Sequence, residues 1–126
     1  MTAANQLLKI FLVDDDEVLL KLMGKLLTAK GHHCTLSHSG AAAIIDIMDE
    51  EVDVVVTDLL MVGMDGFELV DEIRNTPELA DVKIVMFTSQ ADEETREKAE
   101  EVGVDAFIGK PLNAKTFVDE VEALFR

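Results

Sequence analysis

Four apolar runs in this sequence each end on a side chain that can do chemistry. Lys9–Val13 runs into Asp14-Asp15-Asp16-Glu17, Val52–Thr57 ends on Asp58, Lys83–Phe87 ends on Thr88, and Ala106–Ile108 runs into the turn Gly109-Lys110-Pro111. Short β-branched runs such as Val54-Val55-Val56 read as strands buried on both faces of a parallel sheet. In an open α/β sheet, ligands and chemistry sit at the carboxyl ends of the strands. Neighbouring strands lie about 4.8 Å apart, so groups at those ends converge on one pocket. Asp14, Asp15 and Asp58 brought together repel one another unless a cation compensates. A hard divalent ion with oxygen ligands suits them, Mg2+ above all, since it keeps waters and accepts phosphate oxygens. A carboxylate beside such an ion can accept a phosphoryl group as an aspartyl-phosphate. The Lys110 ammonium and the Thr88 hydroxyl can then meet the charge on the phosphoryl oxygens.

The elements that position these groups follow from period and punctuation. Lys9–Val13, His33–Ser37, Val52–Asp58, Lys83–Thr88 and Ala106–Ile108 read as strands. Between and after them lie five helical stretches: 18–30, with Leu19, Leu22, Met23, Leu26 and Leu27 as its buried stripe; 40–50, with Ile44, Ile45, Ile47 and Met48; 66–74, with Phe67, Val70 and Ile73; 91–102; and 113–125, with Phe117, Val121, Leu124 and Phe125. Gly31 reads as the residue that closes the first helix, and Ser39 caps the second. Thr76-Pro77 stops the third. The fourth has only Ala91, Ala99 and Val102 to bury and is expected to be weakly held. Strands alternating with helices over short connections predict an α/β fold, a doubly wound five-stranded parallel sheet with five helices on its two faces.

The 126 residues fit one domain, read here as spanning 1–126, and 48% hydrophobic residues fit a packed core. With 26 acids against 11 bases, a formal charge of −15 speaks against direct nucleic-acid binding, because phosphate backbones need clustered Lys and Arg. The same charge suits a divalent cation or a basic patch on a protein partner. No apolar run reaches the roughly 18 residues that span a bilayer, and Met1–Lys9 does not read as a secretion leader, so the expected location is cytoplasmic. Cys34 is the one cysteine, which rules out an intrachain disulfide or a thiolate metal cage. His32, His33 and His38 read as structural or surface residues near the second strand, and Asp16 as a helix cap.

The motifs F-L-V-D-D-D, V-V-V-T-D, M-D-G-F, V-M-F-T-S and F-I-G-K-P, in this order and spacing, resemble the receiver domain of two-component response regulators. The resemblance covers essentially the whole chain. It implies a flavodoxin-like sheet of order 2-1-3-4-5. It makes Asp58 the phosphoacceptor, Asp15 a direct Mg2+ ligand, the Leu60 backbone carbonyl another, and Asp14 a group acting through a water. Lys110 corresponds to the lysine that pairs with the acceptor and then with the phosphoryl group, and Pro111 to the proline after a cis peptide bond. Thr88 corresponds to the switch hydroxyl and Phe107 to the switch aromatic. The implied partners are a histidine kinase or histidine phosphotransfer protein, and a downstream protein target or output domain that meets the surface of the fourth helix, fifth strand and fifth helix. A phosphorylation-dependent dimer is among the assemblies this allows. Since the sequence ends with its fifth helix, it reads as a stand-alone receiver or as the receiver of a longer chain.

Two positions depart from the family pattern. Val62 stands where a proline is usual, and Phe107 where tyrosine is commoner, so the ring carries no hydroxyl. Leu60 and Gln90, the two side chains expected to flank a hydrolytic water, include one that cannot hydrogen-bond, which predicts slow loss of the phosphoryl group. Leu60 also argues against a Mg2+-dependent phosphohydrolase, which places a second acid there as general acid. A flavin-binding flavodoxin-like protein would need a hydroxyl-rich phosphate loop after the first strand, where this chain has an acidic run.

Overall fold

The computed structural model describes residues 6–126, so most of the Met1–Lys9 stretch read above for a leader lies outside the described residues. Strands β1 (Lys9–Val13), β2 (His33–Ser37), β3 (Val54–Thr57), β4 (Lys83–Thr88) and β5 (Ala106–Gly109) form one parallel sheet in the order β2-β1-β3-β4-β5. Helices α1 (Glu17–Thr28), α2 (Gly40–Ile47), α3 (Gly66–Arg74), α4 (Glu93–Val102) and α5 (Phe117–Glu122) connect and follow them. This is the flavodoxin-like order that the resemblance implies. Among the described residues, no helix is long and apolar enough to cross a membrane.

Strand alternation divides the core in two. Phe11, Val13, Val55, Ile84 and Met86 face α2, α3 and α4, packing with Ala43, Ile47, Leu69, Val70 and Ile73. Ile10, Leu12, Val54, Val56, Val85 and Phe87 face α1 and α5, packing with Leu20, Met23, Leu27, Phe117 and Val121. The Phe87 and Phe117 rings sit 5.4 Å apart, tilted by 47°. Each such buried large side chain contributes about 1.5–3 kcal/mol relative to exposure.

The helices differ from the sequence reading in ways that have local causes. In α1 the buried residues are Leu20, Met23, Gly24 and Leu27, while Leu22 is exposed. Leucines at 19, 20, 22, 26 and 27 offer two competing stripes, and the one that faces the sheet carries Leu20 and Leu27 with Met23 and Gly24. The helix stops at Thr28 with Ala29 as its cap, and Gly31, at φ 92°, turns the chain two residues later. In α2, Ala43 and Ile47 are buried one turn apart, leaving Ile45 and Met48 exposed on the outer face. The region expected to open the last helix at Asn113 is a turn, in which Asn113 Oδ1 accepts from the Lys115 N–H. That leaves a short α5 and a 3-10 turn over Ala123–Phe125, with Leu124 and Phe125 only partly buried. Helix α4 begins at Glu93, capped by Asp92, and buries only Thr95 and Ala99.

Candidate functional site

Strand register assembles the site. Val13 pairs with both Ser37 and Thr57, so Asp14 and Asp58, each one residue past a paired position, come side by side. The Asp58 N–H donates to the Val13 carbonyl at 3.0 Å, extending that pairing by one step. Thr88 pairs with Gly109 at the end of β4, and Lys110 follows directly. The Lys110 N–H donates to the Thr88 carbonyl, which fixes where the lysine leaves the sheet. Gly66, at the start of α3, donates its N–H to the Leu59 carbonyl, and a Cβ there would lie 2.4 Å from the Asp58 carbonyl oxygen. Only glycine lets the helix begin this close to the strand end.

The result is one pocket. Asp14, Asp15 and Asp58 each offer a carboxylate oxygen within 4.8 Å of the others. Lys110 Nζ donates to Asp14 Oδ2 and to Asp58 Oδ2, both at 3.0 Å. Asp58 Oδ1 accepts from the Leu59 N–H at 2.7 Å and the Leu60 N–H at 3.4 Å. Asp14 Oδ1 accepts from the Asp16 N–H, while Asp16 itself caps α1. Asp14 and Asp58 are buried, and Asp15 is exposed.

Charge is unbalanced here. Three carboxylates face one ammonium. Burial pushes the Asp14 carboxyl above its ordinary value; the Asp16 N–H and Lys110 pull it back, the negative charge of Asp58 adds to the rise, and the net shift is upward. Burial alone lowers the Lys110 ammonium, but its hydrogen bonds to Asp58 and Asp14 and their charges outweigh that, holding it above its usual range. The donor set fits a hard divalent cation: all oxygen, anionic, and with open positions toward solvent through Asp15.

Thr88 is fully buried, and its Oγ1 accepts from the Gln90 N–H at 3.2 Å. Phe107 lies on β5, half-buried, opposite Met86. The Lys110–Pro111 peptide is cis. Leu60 is 52% exposed and its backbone follows Asp58 closely, but its carbonyl forms no hydrogen bond among the described residues. Sequence reasoning missed what surrounds these groups. Gln90 Nε2 donates to Thr95 Oγ1, which donates to the cap residue Asp92, and the Arg96 guanidinium covers the Phe107 ring. The Thr95 hydroxyl within the first turn of a charged helix was the available signal. Nothing in the spacing announces the Arg96 contact. The histidines stay out of the pocket: His33 and His38 are exposed and His32 is buried at the opposite end of the sheet. Cys34 is only partly buried, with its thiol pushed up to about 11 by burial.

A family model described as "Response regulator receiver domain" matches residues 10–122. The transcriptional regulatory protein CpxR of Klebsiella pneumoniae is 31% identical over 118 residues, which are 94% of this chain and 49% of that protein. The chain thus spans about half the length of that relative. Chemotaxis protein CheY-3 of Vibrio cholerae is 32% identical over 122 residues, covering 96% of this chain and 94% of that one. The structure of chemotaxis protein CheY4 of Vibrio cholerae superposes with a TM-score of 0.89 at 24% identity, covering 94% of this chain and 98% of the other.

Proposed function

The chain belongs to the response regulator receiver domains of two-component signalling, and from that membership we propose that Asp58 accepts a phosphoryl group from the phosphohistidine of a histidine kinase or histidine phosphotransfer protein. The observation that carries this is the Lys110 ammonium bridging Asp14 and Asp58 at 3.0 Å each, with Asp15 beside them. The whole stretch 1–126 serves as one receiver unit. Its place is the cytoplasm, and its −15 charge keeps it off nucleic acid.

Asp14, Asp15 and Asp58 would hold Mg2+, with the Leu60 carbonyl, Asp14 acting through a water. When bound, the ion supplies positive charge against the carboxylates and the phosphoryl oxygens. The chain's own groups do the rest. Asp58 Oδ1 is tied to backbone N–H groups, which leaves Oδ2 to attack phosphorus. The O–P bond forms as the P–N bond to the donor imidazole breaks, and the electron pair leaves with that nitrogen. Lys110, already at Oδ2, passes to a phosphoryl oxygen, and the Thr88 hydroxyl turns from Gln90 to another. This is signalling rather than turnover: the chain is itself the acceptor, and Leu60 beside the site gives a hydrolytic water nothing to bond, so the aspartyl-phosphate is lost slowly.

Movement of Thr88 vacates space for the Phe107 ring, and the face of α4, β5 and α5 changes for a downstream protein target, an output domain or a second copy of the chain. One hydrogen bond worth about 1–3 kcal/mol suffices to shift such an equilibrium by roughly five- to 150-fold. Acetyl phosphate with Mg2+ should place one hydroxylamine-labile phosphoryl group on the wild-type chain and none on Asp58→Asn. Full labelling of that variant would overturn the assignment.

A further inference from the structure

The face of α4, β5 and α5 carries a contact that phosphoryl transfer does not use. The Arg96 guanidinium lies 4.6 Å from the centroid of the Phe107 ring, and its Nε–H reaches back to the Ala91 carbonyl. Arg96 stands among Glu93, Glu94, Glu97, Glu100 and Glu101 on α4. An ion pair with Glu100, four residues on, is within ordinary helical reach. Among the described residues Arg96 takes no acid as a partner, and covers the ring instead.

Phe107 has no polar atom of its own to fix its orientation. Phe107 lines two cavities that it shares with Arg96. One cavity of about 320 Å³ is lined by Phe87, Arg96, Phe107, Phe117 and Glu120, among others. Another, of about 490 Å³, is lined by Arg96, Glu100, Val104 and Phe107, among others. A ring that borders open volume is positioned by what lies over its face, and over this one lies a cation. The same helix turn is wired to the site: the Gln90 N–H donates to Thr88 Oγ1, the Gln90 side chain donates to Thr95 Oγ1, and Arg96 is the next residue.

We infer that Arg96 is a latch, a positioning residue that holds Phe107 in its half-buried place through a cation–π contact and ties that place to α4. The inference rests on the reading of Asp58 as acceptor and Phe107 as the ring that moves. When the Thr88 hydroxyl turns to a phosphoryl oxygen, the Gln90 N–H loses its acceptor and the first turn of α4 shifts with the Gln90–Thr95 bond. Arg96 then slides off the ring, and Glu100 and Glu120, each of which shares a cavity lining with Arg96, are the acids placed to receive it. The ring is released inward, and a positive charge over an aromatic face becomes an ion pair at the surface. A partner would meet a different surface in shape and charge.

The test is a beryllofluoride titration with Mg2+ on the wild type, Arg96→Gln and Arg96→Lys, following the Phe107 ring and Arg96 side-chain resonances by NMR. In the wild type, saturation should move the Phe107 signals and remove the ring-current shift of the Arg96 Cδ protons. Arg96→Gln keeps a donor for Ala91 and loses the cation, so its free Phe107 signals should already lie toward the saturated position. Because coupling is reciprocal, its beryllofluoride affinity should rise about two- to fivefold, the factor an exposed cation–π contact converts to. Arg96→Lys should restore most of the wild-type behaviour. Equal affinities and ring positions in the wild type and Arg96→Gln, with the wild-type ring still moving on saturation, would overturn the latch alone. A wild-type ring that does not move while Asp58 saturates would overturn the switch itself and the latch with it.

Discussion

The two ends of the sheet treat charge in opposite ways. Where the strands begin, three of the four neighbouring pairs are joined by a polar side chain that finds its match. His32 Nδ1 accepts from the Leu8 N–H beside the β1–β2 pairing, and its Nε2 meets Glu122 of α5 at 2.7 Å. Asp53 accepts from the Lys9 N–H between β1 and β3. Asp105 accepts from the Ile84 N–H between β4 and β5, and from Arg74 as well. Arg74 alone reaches the Gly103 and Val82 carbonyls and Asp105, at 2.7–3.1 Å. Gly103, at φ 104°, is what lets the α4–β5 turn bring its carbonyl there, since a Cβ would sit 3.0 Å from Arg74 Nε. Where the strands finish, three carboxylates share one lysine. One end is matched and holds the fold. The other is left short of positive charge, a shortage that a divalent cation would relieve.

The largest effect should come from breaking the matched end. Arg74→Met keeps the length of the stem and removes every donor, taking the charged partner from Asp105, which keeps only the Ile84 N–H, and the guanidinium from the Gly103, Val82 and Ala80 carbonyls. We expect a loss of about 2–4 kcal/mol in stability, read from the denaturant midpoint. Phosphoryl uptake by the folded variant at low temperature should be unchanged. A loss within about 0.5 kcal/mol, the range of ordinary surface changes, would mean that this end is not where stability is concentrated.

A smaller effect of opposite sign should come from the unmatched end. Asp14→Asn removes one buried carboxylate while Asp58 keeps Lys110, so the metal-free variant should be more stable than the wild type at pH 7 by about 1 kcal/mol. The pH dependence follows from the raised folded-state value of Asp14. Its contribution to stability is fully present below the ordinary value of 3.8 and is lost as pH rises through the raised value. The advantage of the variant should therefore vanish on acidification to about 3.8 and below. A variant less stable than the wild type at pH 7 without metal would show that the carboxylates are not in excess.

The sequence exposed these two ends unequally. Strand limits and the pocket were legible because a buried apolar run that stops on Asp14, Asp58 or Thr88 marks both a strand end and a functional group at once. The matched end was not. His32 and Glu122 are 90 positions apart and Arg74 and Asp105 are 31 apart, and no local pattern links such pairs. Helix faces were misread where small residues do the packing: Ala43 is buried while Ile45 is exposed, because close approach to β1 favours the smaller side chain. The Arg96–Phe107 contact is likewise tertiary, and hydrophobicity alone predicts nothing about it.

The central claim is that the carboxylate excess at the finishing ends of the strands is a Mg2+ site coupled to Asp58. It is tested most directly by titrating Mg2+ into the wild type, Asp15→Ala and Arg74→Met while following backbone amide signals of residues 14, 15 and 58–60. Asp15 is exposed and makes no hydrogen bond that the fold depends on, so its loss should leave the structure intact and weaken Mg2+ on the order of tenfold or more. Arg74→Met should bind as the wild type does. Unchanged affinity in Asp15→Ala would contradict the account.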